Sequence, residues 1–463
     1  MKRPIHFNTL IMIYSVVVLV AAATWIVPGG EYKRVTQNGQ TLVIADSFTS
    51  APNEPQGIGA ILTSPVKGFV QAAHIIAFVF VIGGAFSVIQ KTGAIAVGVQ
   101  RVASTFADKP HLKKYFIPVT MLLFSLGGTI FGMSEETMPF VLIFIPLAIS
   151  LGYDSLVGTA IPFLGAAAGF AGATLNPFTV GIAQGIAELP LYSGLEYRIV
   201  VWFISTSSII TFVMLYASKI RVDPTRSPVY ELDRTRRESF QPEQTEKREF
   251  SVPHRLVIAV FVLSLGVLVF GVLRYKWFID EIAGLFLGLG IVSGILGRLS
   301  ADEITDSFKA GARDMMGVAF IIGCARALLV VANDGKVMDT LLHGLASLIS
   351  NLHPILATQV MFLTHGVINF FVHSGSGQAA LTMPIMAPLA DVVGISRQTA
   401  VLAFQFGDGW INPILPTSGV TMGVLGLAGI SWEKWFKWML PVQIYFFVLA
   451  LILLIPPFLF HYH

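Results

Sequence analysis

Two carboxylates stand side by side inside apolar sequence at Glu135 and Glu136, in the run Gly132-Met133-Ser134-Glu135-Glu136-Thr137-Met138-Pro139. An apolar arm flanks them on each side, Phe116 to Ile130 and Phe140 to Leu151. Each arm of about 15 residues makes about 22 Å of helix, against a hydrocarbon core of about 30 Å. These lengths predict a re-entrant helical hairpin whose tip lies inside the membrane. The pattern returns late in the chain, where arms Ile355 to Phe371 and Ala379 to Val393 flank His373-Ser374-Gly375-Ser376-Gly377-Gln378. After each tip comes a Gly-rich apolar segment broken by Asn-Pro, Asn176-Pro177 in the first half and Asn412-Pro413 in the second. Paired hairpins and paired broken helices in matching order point to a secondary-transporter site.

Hydrophobic residues make up 54% of the chain and charged residues 12%, whereas soluble domains carry about 25% charged. The expected class is therefore an all-α polytopic membrane protein with the lipid bilayer as its surroundings. The lone cysteine, Cys324, lies in an apolar run and excludes a disulfide framework. There is no HExxH, no P-loop lysine motif and no cysteine pair. The expectation is a non-enzyme without metal or cofactor.

In order, Asn8 to Val27 is a first span with Lys2 and Arg3 on its inner side. Glu31 to Phe48 alternates around Asn38-Gly39, which predicts an external β-hairpin. A second span covers Phe69 to Ile89, and Ala94 to Phe106 suits a surface helix. Hairpin, broken helix and a span at Tyr197 to Ala217 complete residues 1–218 as the first half. Residues 219–255 mix basic side chains with comparable acid and carry Pro224, Pro228 and Pro242. That composition predicts a flexible cytoplasmic connector rather than a nucleic-acid patch. In the second half, residues 256–463, Leu256 to Leu273 is an extra span. After it come Phe278 to Leu296, the surface helix Ala301 to Asp314 and Met315 to Val331. The second hairpin, the second broken helix and a last span follow. The reading is about nine transmembrane helices plus two re-entrant hairpins entering from opposite sides, an inverted repeat. It puts the amino terminus inside and the carboxyl terminus outside. Parity alone leaves open whether the hairpins are re-entrant.

Several runs, taken together, resemble the YfcC family of the DcuC group of the ion-transporter superfamily. They are Ile82-Gly83-Gly84-Ala85-Phe86, Lys91-Thr92-Gly93-Ala94-Ile95, Phe131 to Thr137, Gly172-Ala173-Thr174-Leu175-Asn176-Pro177-Phe178, Ser374 to Ala379 and Gly407-Asp408-Gly409-Trp410-Ile411-Asn412-Pro413. The resemblance implies a bacterial inner-membrane carrier, a homodimer with scaffold and transport domains moving in an elevator fashion. It also implies a basic amino-acid antiporter, although the wider group includes C4-dicarboxylate carriers.

The site chemistry read from the residues is bipolar. A charge at the bilayer centre costs at least about 2.5–3.5 kcal/mol, so Glu135 and Glu136 should face a cavity or a partner. One is expected to bind a substrate amine or a proton while the other pairs within the protein. Alternatively both simply follow Ser134 at a helix start, where acids complement the dipole and cap the backbone. Ser134 and Thr137 beside them are further candidate substrate contacts. The Ser374-Gly375-Ser376-Gly377 tip offers hydroxyls and backbone N–H groups suited to a carboxylate, or it is simply a tight turn. Asp408 could bind a coupling H+ or Na+, assist substrate, or pair with Arg326. Asn176 and Asn412 should satisfy the interrupted backbone, and their side chains, with the Thr417 hydroxyl, are also candidate substrate contacts. Arg326 could hold a substrate carboxylate or snorkel outward. His365, Asn369 and His373, four apart, share one helix face and form either a proton path or polar packing. A zwitterion with an extra positive charge satisfies both tips, so an amino acid, above all a basic one such as arginine, ornithine or lysine, is the expected substrate. A C4-dicarboxylate or another organic ion is the rival, and an ion channel is the rival of another class.

Overall fold

The computed structural model describes residues 9–37, 40–44, 47–95, 97–98, 101, 110–240, 251–275, 277, 279–460 and 462. The chain is almost wholly helical, with two short antiparallel strand pairs. Strand β1 (Gly29–Glu31) pairs with β4 (Thr49–Ala51), and β2 (Arg34–Gln37) with β3 (Gln40–Val43). Gln37 stands opposite Gln40, and the Asn38-Gly39 turn expected from sequence lies outside the described residues. The strands follow the Thr9–Ala23 helix, and their end of the molecule is here the strand face. The end at which the linker helix Tyr230–Phe240 meets Ser155 and Ala428 is here the linker face. The expected surface helix Ala94 to Phe106 falls largely outside the described residues.

Seven stretches of helix among the described residues are long and apolar enough to cross a membrane. Element order repeats between the halves. In the first, Ile58–Gln71 runs into Ala73–Lys91, followed by the helical hairpin Pro110–Phe131 and Thr137–Ser150. A broken helix (Ser155–Ala171, Pro177–Gly181, Ile182–Ile186) and the long Leu195–Val222 helix complete it. In the second, Ala301–Asp314 runs into Met316–Asp334, followed by the hairpin Pro354–Asn369 and Gly375–Val392. A broken helix (Arg397–Gly409, Asn412–Ile414, Gly419–Ala428) and the long Trp432–Leu453 helix match the first half.

The two kinked helices pack against each other and form an arm body with Thr9–Ala23 and Ile279–Leu296. Their crossing is close because Gly83 and Gly311 face each other. A Cβ on Gly83 would lie 2.8 Å from the Gly311 carbonyl oxygen. The second span thus starts earlier than its hydropathy suggests, at Ile58, with a join at Ala72.

The broken helices survive in an apolar interior because side chains take up the freed backbone groups. At the first break, the Asn176 Oδ1 accepts from the N–H groups of Phe178 (2.9 Å) and Thr179 (3.3 Å), with Pro177 in the first turn where no donor is needed. The N–H groups of Thr174 and Leu175 donate to the Thr129 carbonyl of hairpin one. At the second break, Trp435 and Trp432 donate to the carbonyls of Pro413 and Ile414 at 2.8 and 2.9 Å. Thr421 donates to the Asn412 carbonyl at 2.7 Å.

The linker departs from expectation. Tyr230–Phe240 is a helix packed on the Thr137–Ser150 arm, with Val229 and Asp233 buried. Long-range hydrogen bonds to the first broken helix, treated below, hold it there, and composition cannot reveal them.

Candidate functional site

The two hairpin tips and the two helix breaks meet around one cavity of about 380 Å³. Hairpin one contributes Phe131, Gly132, Ser134, Glu135 and Glu136, and hairpin two contributes His373, Ser374, Gly375 and Ser376. The breaks add Phe170, Phe178 and Thr179 from the first and Asn412, Thr417 and Gly419 from the second. The arm body closes the remaining side with Gln71, Ala72, Ile75, Ile279, Ile322 and Arg326. A small recess of about 30 Å³ continues between the breaks. It shares Ser134, His373 and Asn412 with the main cavity and adds Thr137 and Thr421.

The two adjacent glutamates are held differently. Glu136 is buried and folds back, its Oε2 accepting from the Ser134 N–H at 2.9 Å. Thr137 donates to the Ser134 carbonyl at 2.6 Å, so the turn before the helix is closed by its own side chains. Glu135 is the more accessible of the two. The turn requires Gly132 at φ +74°, and a Cβ there would meet the Asn176 amide at 2.7 Å. Tip one is thereby seated on the first helix break.

Tip two is the start of a helix. Ser374 is its N-cap, accepting from the Gly377 N–H at 3.2 Å. The helix dipole and the free first-turn N–H groups thus point toward the cavity end. His373 is hydrogen-bonded to the Thr417 hydroxyl at 2.5 Å, which fixes this tip to the second break.

Asp408 does not line the cavity. It is buried behind tip two, with Oδ1 accepting from the Asn412 amide at 3.1 Å. Its Oδ2 lies 2.9 Å from the place a Cβ on Gly375 would occupy. The alternative of an Arg326–Asp408 pair is not realised, since Arg326 stands on the cavity wall and no ion pair joins them. Asn176 and Gly377 also lie off the wall, the one capping the break and the other inside its tip. His365 and Asn369 do not join His373 in a continuous chain. Asn369 donates to the carbonyl of Asp408 at 3.1 Å and to the Asn412 side chain at 3.0 Å. His365 is sealed against Phe404.

The wall is therefore bipolar, with carboxylates from tip one and the Arg326 guanidinium with the helix start of tip two. Such a wall can hold a molecule carrying both signs of charge. Phe131, Phe170 and Phe178 were not singled out from sequence, because an apolar residue in an apolar chain carries no contrast. The available signals are position alone, Phe178 directly after Asn176-Pro177 and Phe131 directly before the tip at Gly132.

A family model described as DcuC, C4-dicarboxylate anaerobic carrier, matches residues 7–458. An Escherichia coli (strain K12) protein named "Putative basic amino acid antiporter YfcC" is 39% identical over 459 residues, 91% of this chain and 90% of that protein. A Haemophilus influenzae protein, named only as uncharacterized, is 29% identical over 466 residues and 90% of each chain. Among solved structures, the YdaH transporter of Alcanivorax borkumensis aligns with 15% identity and a TM-score of 0.41, over 96% of this chain and 97% of its own. MtrF of Neisseria gonorrhoeae, from a class of antimetabolite efflux pumps, aligns with 16% identity and a TM-score of 0.43, over 97% and 95%.

Proposed function

This chain belongs to the DcuC family of membrane carriers, and from that premise we propose that it is an alternating-access transporter of basic amino acids. The observation that carries the reading is the charge arrangement around one cavity. Glu135 and Glu136 stand on tip one, while Arg326 and the Ser374–Gly377 helix start supply the opposite sign. In this reading the side-chain cation of arginine, ornithine or lysine faces Glu135. The α-carboxylate faces Arg326 and tip two. Phe131, Phe170 and Phe178 supply aromatic faces that attract an organic cation. A relative that is 39% identical and named for basic amino acids supports the same choice.

The carrier works as an exchanger or with coupling to H+ or Na+, and Asp408, buried behind tip two, is the group placed to sense a coupling cation. The two hairpins are re-entrant, and the body that bears them moves against the arm body in an elevator fashion within a homodimer. In this reading the linker face is on the cytoplasmic side of a bacterial inner membrane, which the basic side chains of the linker support.

The experiment is labelled-arginine counterflow in proteoliposomes, with thermal stabilisation of the detergent-purified protein by arginine, ornithine, lysine, succinate and fumarate. Each ligand is tested with and without sodium. A ligand of the folded state raises apparent stability by mass action. Basic amino acids alone should stabilise and exchange. The second reading is C4-dicarboxylate exchange, favoured by Arg326 and by the family description. Succinate–fumarate counterflow without arginine exchange would establish it. Large ohmic single-channel currents would replace both with a channel.

A further inference from the structure

Two charged residues of the linker helix, one turn apart, each meet the end of a different broken helix. Asp233, fully buried, accepts from the Ser155 N–H at 2.7 Å, at the start of the first broken helix. Arg236 donates to the Ala428 carbonyl at 2.7 Å, at the end of the second. Residues three apart share a helix face, so one short helix reaches both. Because the repeat is inverted, the first broken helix begins where the second ends. Their termini carry opposite partial charges of about +0.5 and −0.5, and carboxylate and guanidinium match them in sign.

The attachment is reinforced around Asp154. This buried residue caps the first broken helix through Val157 N–H at 2.9 Å. Its other oxygen accepts from Tyr216 at the end of the long Leu195–Val222 helix and from Ser227 of the linker, at 2.5 and 2.7 Å. At Gly429, φ +63°, a Cβ would sit 2.8 Å from the Arg236 guanidinium, so the second helix ends where Arg236 has room.

We propose that Asp233 and Arg236 are positioning residues for transport, clamping both broken helices into one body at the linker face. The linker helix travels with that body throughout the cycle. This requires only that the chain transports and is independent of which substrate it carries.

The test replaces the hydrogen bond at the first broken helix by a covalent bond, Asp233→Cys with Ser155→Cys in a Cys324→Ser background, in proteoliposomes. Arginine counterflow is the readout, with succinate counterflow in parallel. The reduced variant should exchange at least tenfold more slowly than the background protein, and oxidation should restore the rate to within threefold. A reduced variant at full rate overturns the proposal, because the clamp is then dispensable. An oxidised variant that stays inactive overturns it too, because the helix must then release. Arg236→Lys and Arg236→Gln provide a second route. The lysine variant should keep the rate while the glutamine variant loses it at equal thermal stability, whereas rates that follow stability alone in both would leave Arg236 a purely structural residue. Background protein that exchanges succinate and not arginine sinks the substrate reading alone, and the clamp variants are then compared with succinate.

Discussion

Glu135 and Glu136 are neighbours in sequence and differ in what holds them, so their amide variants should separate. Glu136→Gln weakens a charge-assisted bond to the Ser134 N–H within the tip, a change of about 1.5–3 kcal/mol. It should appear first as a lower thermal midpoint. Glu135→Gln leaves that bond intact and should raise the KM for arginine at least tenfold with little change in midpoint. The opposite pattern would exchange their roles. Gly132 allows a second dissection. Gly132→Ala combines a left-handed backbone with collision against Asn176, whereas Gly394→Ala, at the same φ of +74°, meets nothing within 4 Å. Strain alone costs about 1 kcal/mol, so Gly394→Ala should lose about that much. Gly132→Ala should lose clearly more and transport poorly; equal losses in chemical denaturation would remove the collision from the account. The glutamates were legible in the sequence because a charge in an apolar run has to be accounted for. The position of Asp408 behind its tip was not, because the rotation of a helix in a bundle is set by contacts and not by composition.

Elements were legible where the backbone itself is marked. Each Asn-Pro pair announces a break, since proline removes a donor. Only Asn176 then accepts from the freed N–H groups, whereas the Asn412 side chain, expected to do the same, donates to Asp408 and accepts from Asn369, leaving its break to Trp432, Trp435 and Thr421. The linker helix and the Ile58–Gln71 helix were not marked. The first is polar and flanked by prolines, and tertiary bonds from Asp233 and Arg236 fix it in place. The second has Pro65 inside it, with Thr63 and Ser64 beside it, which lowers its hydropathy without breaking it. The amphipathic Ala301–Asp314 helix does carry its own start signal. Ser300 accepts from the Glu303 N–H at 3.2 Å, and the Glu303 carboxylate accepts from the Ser300 N–H at 2.8 Å. Ser300→Ala should cost about 1 kcal/mol. The Ser300 N–H, and after it the Ser300 hydroxyl, hold the Glu303 carboxyl below the usual carboxylate range. A folded value below the unfolded one gives stability that is present above the ordinary range and lost as pH falls through the folded value. The midpoint difference between the natural protein and Glu303→Ala should therefore be full at neutral pH and close in acid. A difference that grew in acid would reverse the sign of the argument.

At the scale of the molecule, the cavity lies between two bodies. One is the arm body, with Ile75, Ile322 and Arg326, and the other carries both tips and both breaks. A site shared across such a boundary can be exposed to either face only if one body shifts against the other or a tip opens locally. The contact at Gly419 distinguishes these. A Cβ at Gly419, on the second broken helix, would lie 3.6 Å from the Cγ2 atoms of both Ile322 and Ile75 on the arm body. That separation brings Ile322→Cys and Gly419→Cys within reach of a disulfide, again in a Cys324→Ser background, and neither substitution removes a polar side chain from the cavity wall. Body movement predicts that oxidation stops counterflow while leaving arginine stabilisation of the purified protein in place, and that reduction restores exchange. Local tip opening predicts that the bridged protein continues to transport, because tips one and two remain free to move. Loss of both exchange and stabilisation in the oxidised form, recovered together on reduction, would mean that the bridge distorts the cavity itself. The Ile75→Cys and Gly419→Cys pair, built on the same glycine from the other arm helix, then decides between the two motions.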